Sequence, residues 1–314
     1  MVGLEPVSML FLLIVLGYWV RKRDVVSAAM VSDISALLVN VALPAFIISS
    51  MNFEFSMEVL INSGVLILIS FSVYLCSILF SKIYSRVIGV QGTTKDIHEM
   101  VCVFSNVGFM GYPVVLAVYG EIGVFYAAMY NLGYNLLMWS YGAHLINRQG
   151  REKIEKKERP LLDHLTKFFN PSLIAVVIGF FLFLTSIELP SVLFKTFDLI
   201  GRMVTPLSML CIGFILSEVD TKDVFKDSSV VTTSIVRLIL IPLTLFFVLN
   251  GLGKEGYLIA IPVLITAMPA AANTAIIAVR YKSDYKLASK LIFISTLMSI
   301  LTIPLMIQLI IRVQ

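Results

Sequence analysis

Residues 102–116, CVFSNVGFMGYPVVL, form an apolar stretch whose centre holds four residues that disfavour a continuous helix. They are Asn106, Gly108, Gly111 and Pro113. An interior proline costs about 3 kcal/mol and each glycine up to about 1 kcal/mol relative to alanine. Unwound backbone at membrane depth is tolerated only where protein or a watery cavity surrounds it. The sequence therefore predicts a membrane helix that is interrupted near its middle.

A second interrupted stretch occurs much later in the chain, at residues 261–279, IPVLITAMPAAANTAIIAV. Pro262, Pro269 and Asn273 divide this apolar run. Two broken spans, one in each half of a membrane chain, are the best indication in a sequence of the substrate site of a secondary transporter.

The composition places the chain in a membrane independently of these two stretches. Of its 314 residues 58% are hydrophobic and 14% charged, and the mean hydropathy is +0.93, which excludes an ordinary soluble domain. The three cysteines lie inside apolar runs, so no disulfide framework is expected. Basic residues follow residues 6–20 instead of preceding them, which predicts a retained first span and not a cleaved signal peptide.

We count ten apolar segments that are long enough to cross or nearly cross about 30 Å of hydrocarbon. The fold class predicted is an all-α polytopic membrane protein with ten transmembrane helices. The predicted spans are 5–20, 31–51, 58–80, 99–119, 121–146, 171–187, 190–217, 228–250, 256–280 and 284–311.

Positive charge alternates between the two sets of connections. The loops that join spans 1–2, 3–4, 5–6, 7–8 and 9–10, counted together with Arg280 and Lys286 at the adjoining span ends, carry 18 of the 24 Lys and Arg residues. The positive-inside rule makes these loops cytoplasmic, including the linker 147–170, and places both termini outside. The basic balance thus reflects the topology of a multi-pass protein of the cell membrane, and no nucleic-acid partner is inferred.

The linker divides the chain into two halves of five spans, 1–146 and 171–314. Pro44 and Pro206 lie 162 residues apart, and the ends of spans 4 and 9 are related by an offset of 161. An odd number of spans in each half makes the two copies inverted in the membrane. The offset of 161 superposes Gly108 on Pro269 and Tyr112 on Asn273.

Five separated motifs carry a family resemblance. They are NVALPAFI at 40–47, SNVGFMGYP at 105–113, NPSLIA at 170–175, TPLSMLCIG at 205–213 and AMPAAANTAIIA at 267–278. Together they resemble the auxin efflux carrier family, part of a superfamily with bile-acid, arsenite and riboflavin transporters. Prokaryotic members of that family include permeases for malate and other organic anions.

The resemblance implies a fold of two inverted five-helix repeats in which the broken spans 4 and 9 cross near the midplane. It also implies an elevator-like displacement, with spans 1, 2, 6 and 7 as a scaffold, usually dimeric, and spans 3–5 and 8–10 as the moving unit. The central linker is much shorter than that of the plant carriers, which argues against plant-type regulation and against auxin itself as the substrate.

The chemistry expected at the two breaks is the binding of a carboxylate. A half-helix that begins near the midplane presents free N–H groups and about half a positive charge. Pro113 and Pro269 are expected near these starts, where a missing N–H does least harm. The alternative is that the polar side chains only satisfy the broken backbone. The candidate residues are Asn106, Gly108, Gly111, Tyr112, Pro113, Pro269, Asn273 and Thr274.

Two arginines fall within predicted spans, where an ionised residue is by default a functional hypothesis. Arg202 follows Asp198 by four residues, so a structural ion pair explains it. Arg237 has no such neighbour along its helix and is the stronger candidate for attracting an anion, with an interhelical partner as the alternative.

Weaker candidates lie on spans 2 and 5. Asn40, one turn before Pro44, either faces the moving unit or bonds the kinked backbone. Asn131 and Asn135 share a helix face that is expected to line the crossing. The nearby tyrosine stripe, Tyr126, Tyr130 and Tyr134, is interpreted as packing.

Charged residues near the predicted cytoplasmic span ends have two interpretations. Asp33, His98, Glu99 and Asp284 either relay protons or, as we favour, are solvated helix-end charges. No nucleophile–base pair, phosphate loop or metal-ligand spacing occurs, so no enzyme, metal or other cofactor is predicted. The coupling ion, H⁺ or Na⁺, stays open.

The sequence favours a secondary carrier of a small organic anion. Two other functions stay open: a sodium-coupled carrier of the bile-acid type, and a membrane sensor that holds a lipid or sterol without transporting it.

Overall fold

The computed structural model describes residues 4–148, 170–219, 224 and 227–313. These residues are helical apart from short connections and one isolated β-bridge. The helices are α1 (Leu4–Lys22), α2 (Ala28–Leu37), α3 (Leu43–Ser50), α4 (Met57–Val87), α5 (Gly92–Val103), α6 (Tyr112–Leu137), α7 (Ala143–Asn147), α8 (Pro171–Thr185), α9 (Ser191–Gly201), α10 (Val204–Ser217), α11 (Ser228–Ile235), α12 (Ile241–Gly251), α13 (Tyr257–Thr266), α14 (Asn273–Arg280) and α15 (Tyr285–Val313).

Six helical stretches among the described residues are long and apolar enough to cross a membrane. Two further apolar helices, α8 and α13, are shorter, with 15 and 10 residues. The six are Ala28–Ser50, Met57–Val87, Val107–Asn147, Ser191–Ser217, Ser228–Gly251 and Tyr285–Val313.

Helix interruptions explain why the helices do not correspond one to one with the ten predicted segments. α5 ends at Val103 and α13 at Thr266, so the predicted spans 4 and 9 are both divided. Within α6, Gly120 has φ 66° and ψ −162°, a conformation that favours glycine, and the chain turns there between the predicted spans 4 and 5. The breaks expected from proline and glycine are therefore present in the structure.

Widened π-helical turns precede three prolines. A proline inside a helix lacks an N–H and its ring clashes with the carbonyl four residues earlier. In three of the four π-turns that the described residues contain, that carbonyl belongs to the π-turn, whose wider backbone accommodates the ring. The pairs are Leu38–Ala42 with Pro44, Val107–Gly111 with Pro113, and Val236–Leu240 with Pro242.

The chain forms two compact units, each built from separated segments. The first contains the described residues of 1–66, 107–130 and 169–218, and the second contains those of 67–106, 131–168 and 219–314.

In the first unit, α1 and α10 pack with their backbones in close contact. A Cβ atom at Gly17 would overlap the carbonyl oxygen of Leu210, and one at Gly213 would overlap that of Ile14. Small residues let membrane helices approach in this way. Phe53, Phe125 and Phe183 form a ring cluster in the same unit, with centroid separations of 5.0–5.4 Å.

Two local predictions in this unit are confirmed. The Asn170 side chain accepts a hydrogen bond from the Leu173 N–H at 2.8 Å and caps α8, with Pro171 at its first position. Arg202 pairs with Asp198 at 2.9 Å, and its side chain is 76% exposed.

The second unit holds charged residues that are not solvated as the sequence suggested. His98 and Glu99 are fully buried on α5, so their interpretation as solvated charges is wrong. The interpretation holds for the other two residues of that group, because Asp33 is exposed and the Asp284 carboxylate accepts from the Leu287 N–H at the start of α15.

Buried ionic partners explain the position of Glu99. Its carboxylate accepts a hydrogen bond from Ser85 at 2.8 Å and lies 3.7 Å from the Lys95 ammonium. One turn away, Asp96 is bound by Arg148 from the end of α7. Burial raises the pKa of Asp96, and the Arg148 guanidinium opposes that rise.

Candidate functional site

The two helix interruptions meet within the second unit. Ser105, after α5, forms an antiparallel β-bridge with Ala270, which lies between α13 and α14. The Asn106 N–H donates to the Pro269 carbonyl at 2.8 Å, and the Ala271 N–H donates to the Phe104 carbonyl at 3.2 Å. Backbone groups that each break removes from its own helix thus satisfy one another.

A serine on α15 supports this crossing from one side. The Ser295 hydroxyl oxygen accepts from the Ala270 N–H at 3.1 Å and donates to the Leu291 carbonyl at 2.6 Å. Ser295 is fully buried. Sequence reasoning missed this role, because serines in membrane helices usually bond their own helix, as Ser295 also does.

Arg237 lies at the crossing, in the π-turn that follows α11. Its side chain is fully buried, and Nη1 donates to the Cys102 carbonyl oxygen at 3.3 Å. This carbonyl is in the last turn of α5, the negative end of that helix, where a cation is favourable. The sequence left an interhelical partner as the alternative for Arg237, and the structure shows one: the C-terminal end of α5.

Three aromatic rings surround the end of α5. Tyr74 from α4 stacks on Phe104 with centroids 6.0 Å apart, and Tyr134 from α6 meets Phe104 edge-on at 5.6 Å. The Tyr134 hydroxyl also lies close to the Asn273 side chain. Tyr134 is thus linked to a candidate residue, although its stripe was interpreted as packing, and Tyr74 had no sequence signal beyond its apolar span.

α14 starts directly after the crossing with Asn273, and its first turn is tight. The Thr274 N–H donates to the Ala271 carbonyl at 3.0 Å, and the Ala275 N–H donates to the Ala272 carbonyl at 3.2 Å. Together with the bonds of Ala270 and Ala271, four amides of this segment are engaged inside the protein. No backbone hydrogen bond within the described residues engages the N–H groups of Ala272 and Asn273, at the start of α14.

The Thr274 side chain adds a polar group at the same place. It is fully buried, and its hydroxyl has no hydrogen-bond partner among the described residues. A buried hydroxyl without a partner costs about 1–3 kcal/mol, so such a group in a folded protein calls for a ligand or a water.

Asn131 and Asn135 are buried on α6 in the same unit. The Asn135 amide donates to the Asn131 carbonyl oxygen at 3.2 Å, a bond within their own helix. Their predicted place along the crossing stays a prediction.

The remaining candidates belong to the first unit. Asn40 is exposed and donates to the Ala36 carbonyl at 2.8 Å, which is the backbone-bonding alternative considered for it. Tyr112 is buried against Phe46 in an edge-on contact at 6.5 Å. A Cβ atom at Gly108 would lie 3.8 Å from a Leu43 methyl, an ordinary packing distance.

The second half of predicted span 4 starts earlier than expected. Helical backbone begins at Val107, and Gly111 is the last residue of the π-turn. Pro113 therefore lies inside a continuous helical segment and not at a free half-helix start, which corrects the prediction. The wider π-turn removes the clash that was expected to end the helix there.

Comparison with known proteins adds to this geometry. The chain matches the family model described as "Membrane transport protein" over residues 2–307. An uncharacterized transporter of Methanocaldococcus jannaschii is 25% identical, with 97% of this chain and 98% of the relative covered. One of Methanothermobacter thermautotrophicus is 26% identical with 96% of each covered, and the uncharacterized transporter YfdV of Escherichia coli K12 is 24% identical with 94% of each covered.

Proposed function

We propose that this chain, which belongs to the membrane transport protein family, is a secondary carrier of small organic anions. The family membership confirms the resemblance to the auxin efflux carriers and makes the chain a multi-pass membrane transporter. The anion is our inference, and the observation that carries it is the bonded crossing of two broken helices beside the buried Arg237.

Positive groups near the crossing support an anionic substrate. Arg237 bonds the carbonyl of Cys102, and two residues later the Phe104 carbonyl accepts from Ala271. The N–H groups of Ala272 and Asn273 follow at the positive end of α14. Planar carboxylates match guanidinium and amide donors in charge and in geometry.

Side chains around α14 are suited to orient such a substrate. The Thr274 hydroxyl is buried with no hydrogen-bond partner in the described part of the chain, and the Asn273 side chain lies close to Tyr134. We propose Asn106, Asn273 and Thr274 as the polar contacts. Asn131 and Asn135 belong to the proposed lining, and Pro269 to the helix interruption that shapes it. Gly108, Gly111, Tyr112, Pro113 and Asn40 lie in the first unit and stay candidates from the sequence alone.

The proposed transport cycle is alternating access by an elevator-type displacement. It requires ten spans in two inverted halves, 1–146 and 171–314, joined by the linker 147–170, most of which lies outside the described residues. One feature supports the repeat: both halves contain an interrupted helix, after Val103 in the first and after Thr266 in the second. A homodimer with extracytoplasmic termini in the cell membrane completes the proposal.

Transport assays in proteoliposomes test the anion directly. The purified chain is reconstituted in proteoliposomes, which are loaded with one compound at a time from a panel of mono- and dicarboxylates. Counterflow of the same compound in labelled form is then measured at equal pH and equal sodium on both sides. We expect counterflow with at least one carboxylate, and its reduction in Asn273→Ala and Thr274→Val. Arg202→Ala, which changes an exposed arginine, is the matched control.

The same assay distinguishes the two other functions. A sodium-coupled carrier would accumulate substrate only with an imposed sodium gradient. A lipid or sterol sensor would bind its ligand without any counterflow, and that result would overturn the carrier proposal.

A further inference from the structure

A buried histidine in the second unit is bonded at both ring nitrogens. His98 on α5 is fully buried. Its Nδ1 lies 2.8 Å from the Thr233 hydroxyl, and its Nε2 lies 3.3 Å from the Ser229 hydroxyl, both on α11. The proposed carboxylate site does not use any of these groups.

Two more groups extend these bonds into a continuous chain. The Ser229 hydroxyl donates to the Asp227 carboxylate at 2.6 Å. The Tyr84 hydroxyl, near the end of α4, lies 3.0 Å from the Thr233 hydroxyl oxygen. Tyr84 and Asp227 are only partly buried, so the chain connects a buried imidazole to groups nearer water at both ends.

The direction of each bond follows from the available hydrogens. Ser229 gives its one hydroxyl hydrogen to Asp227, so its oxygen accepts from Nε2–H of His98. A neutral imidazole with a hydrogen on Nε2 accepts at Nδ1, so Thr233 donates to His98 and accepts from Tyr84. All four bonds therefore point the same way, from Tyr84 to Asp227.

Such an ordered chain moves a proton without moving a heavy atom. A proton from water adds to the Tyr84 hydroxyl oxygen, Tyr84 passes its own proton to Thr233, and Thr233 passes its own to Nδ1 of His98. Tyr84 and Thr233 end neutral, and the positive charge lies on the imidazolium. Release follows the other arm: Nε2–H passes its proton to Ser229, Ser229 passes its own to Asp227, and the partly buried Asp227 gives a proton to water. His98 is then neutral with its hydrogen on Nδ1, and Asp227 is again a carboxylate.

Two hydrogen bonds, one helical turn apart, connect α5 to α11 and to the π-turn that follows α11. His98 bonds Thr233 on α11, and four residues later in each segment the Cys102 carbonyl accepts from Arg237 in the π-turn. One helical turn is about 5.4 Å along the axis. A proton on His98 thus places a positive charge one helical turn from Cys102, the residue that Arg237 bonds. An anion bound near Arg237 therefore favours protonation of His98.

We propose that His98 binds the coupling proton of this carrier, an inference that rests on the proposed transport function. Proton and organic anion then bind cooperatively, because each neutralises the charge that the other brings into the membrane. In this proposal the coupling ion is H⁺ and its binding site is the imidazole of His98.

Nearby charges are consistent with a histidine that is neutral until the anion arrives. His98 precedes the predicted span 99–119, and burial lowers its pKa, while the carboxylates of Asp227 and Asp284 oppose that fall. The hydrogen bonds from Ser229 lower the pKa of Asp227 and keep it ionised. The other charged residues of α5, Lys95, Asp96 and Glu99, belong to the separate network with Arg148.

Two measurements on the full chain test the inference. In proteoliposomes that show counterflow of a carboxylate, an imposed pH gradient is expected to drive accumulation in the wild type. In detergent, a pH-indicator dye is expected to report proton uptake when that carboxylate is added. His98→Gln keeps the hydrogen bonds but does not titrate, and we expect it to lose both responses while its counterflow remains.

Thr233→Val provides a second variant, because it removes one link of the chain and nearly preserves the side-chain shape. It is expected to lose gradient-driven accumulation, whereas Thr232→Val, whose hydroxyl bonds only its own helix, is the matched control. Two results would overturn the proton site while leaving the carrier function in place. One is counterflow in the wild type without accumulation driven by a pH gradient; the other is unchanged accumulation and proton uptake in His98→Gln. Absence of counterflow across the whole panel removes the proposed function and this inference with it.

Discussion

The main-chain N–H of Asn106 donates a hydrogen bond to the main-chain carbonyl of Pro269 at 2.8 Å, although 163 residues separate them in the sequence. Each residue lies where a helix is interrupted, and this bond joins the two interruptions. A buried, unpaired amide costs about 1–3 kcal/mol, so either break alone is unfavourable and the two together are stable. Each helix interruption is therefore stabilised by its hydrogen bonds to the other.

Ser295→Ala is expected to weaken this crossing by about 1–3 kcal/mol, because it leaves the buried Ala270 N–H without an acceptor. The thermal unfolding midpoint in detergent measures the effect. Ser299→Ala is the control, since Ser299 is equally buried on α15 and its hydroxyl bonds the Thr296 carbonyl. Equal midpoints for the two variants would contradict the support that we assign to Ser295.

Arg237→Ala is expected to reduce carboxylate affinity about tenfold or more, since a hydrogen bond to a charged group is worth about 1.5–3 kcal/mol. Competition of unlabelled substrate in the counterflow assay gives the affinity. Arg202→Ala, at an exposed arginine of the first unit, should leave the affinity unchanged. A variant of Arg237 that folds and binds normally would limit this residue to capping the end of α5.

Gly213→Val is expected to separate α1 from α10, because its side chain would overlap the backbone of Ile14 and Tyr18. Overpacking of this kind costs about 1–3 kcal/mol or more. Gly64→Ala on α4 is the control: nothing lies within 4 Å of its added Cβ, and alanine is the better helix former. Thermal midpoints measured together should fall for Gly213→Val only.

Arg148→Gln is expected to make stability depend more strongly on pH. Burial raises the pKa of Asp96 above its ordinary value, and Arg148 is the group that most opposes this. Without Arg148 the folded state favours the protonated carboxyl further, so stability is retained at low pH and lost as pH rises through the folded pKa. From acid to neutral pH, the thermal unfolding midpoint of Arg148→Gln should fall increasingly below that of the wild type. The midpoint of Arg86→Gln, a change at the exposed end of α4, should follow the wild-type midpoint at every pH.

Features governed by neighbours in the chain could be predicted from the sequence. Asn170 and Pro171 specify the start of α8, and Asp198 lies one turn from Arg202, so both contacts follow from local spacing. The broken helices also follow from local chemistry, since proline and glycine destabilise a helix wherever it packs.

Features that depend on distant partners could not be predicted. Glu99 is buried because Ser85 and Lys95 bond it, and His98 because α11 supplies two hydroxyls; neither arrangement leaves a periodic signal on α5. The start at Val107 was missed because a π-turn accommodates Pro113, an outcome that helix propensity does not describe. Topology, the inverted repeat and the substrate contacts stay predictions.

The bridge at Ser105 and Ala270 is formed by peptide groups, which every amino acid carries. Mutations can therefore replace the residues around it over long evolutionary times and still leave the bond pattern intact. The two archaeal relatives share only about a quarter of their residues with this chain, and a bond between peptide groups does not require any particular side chain to be retained.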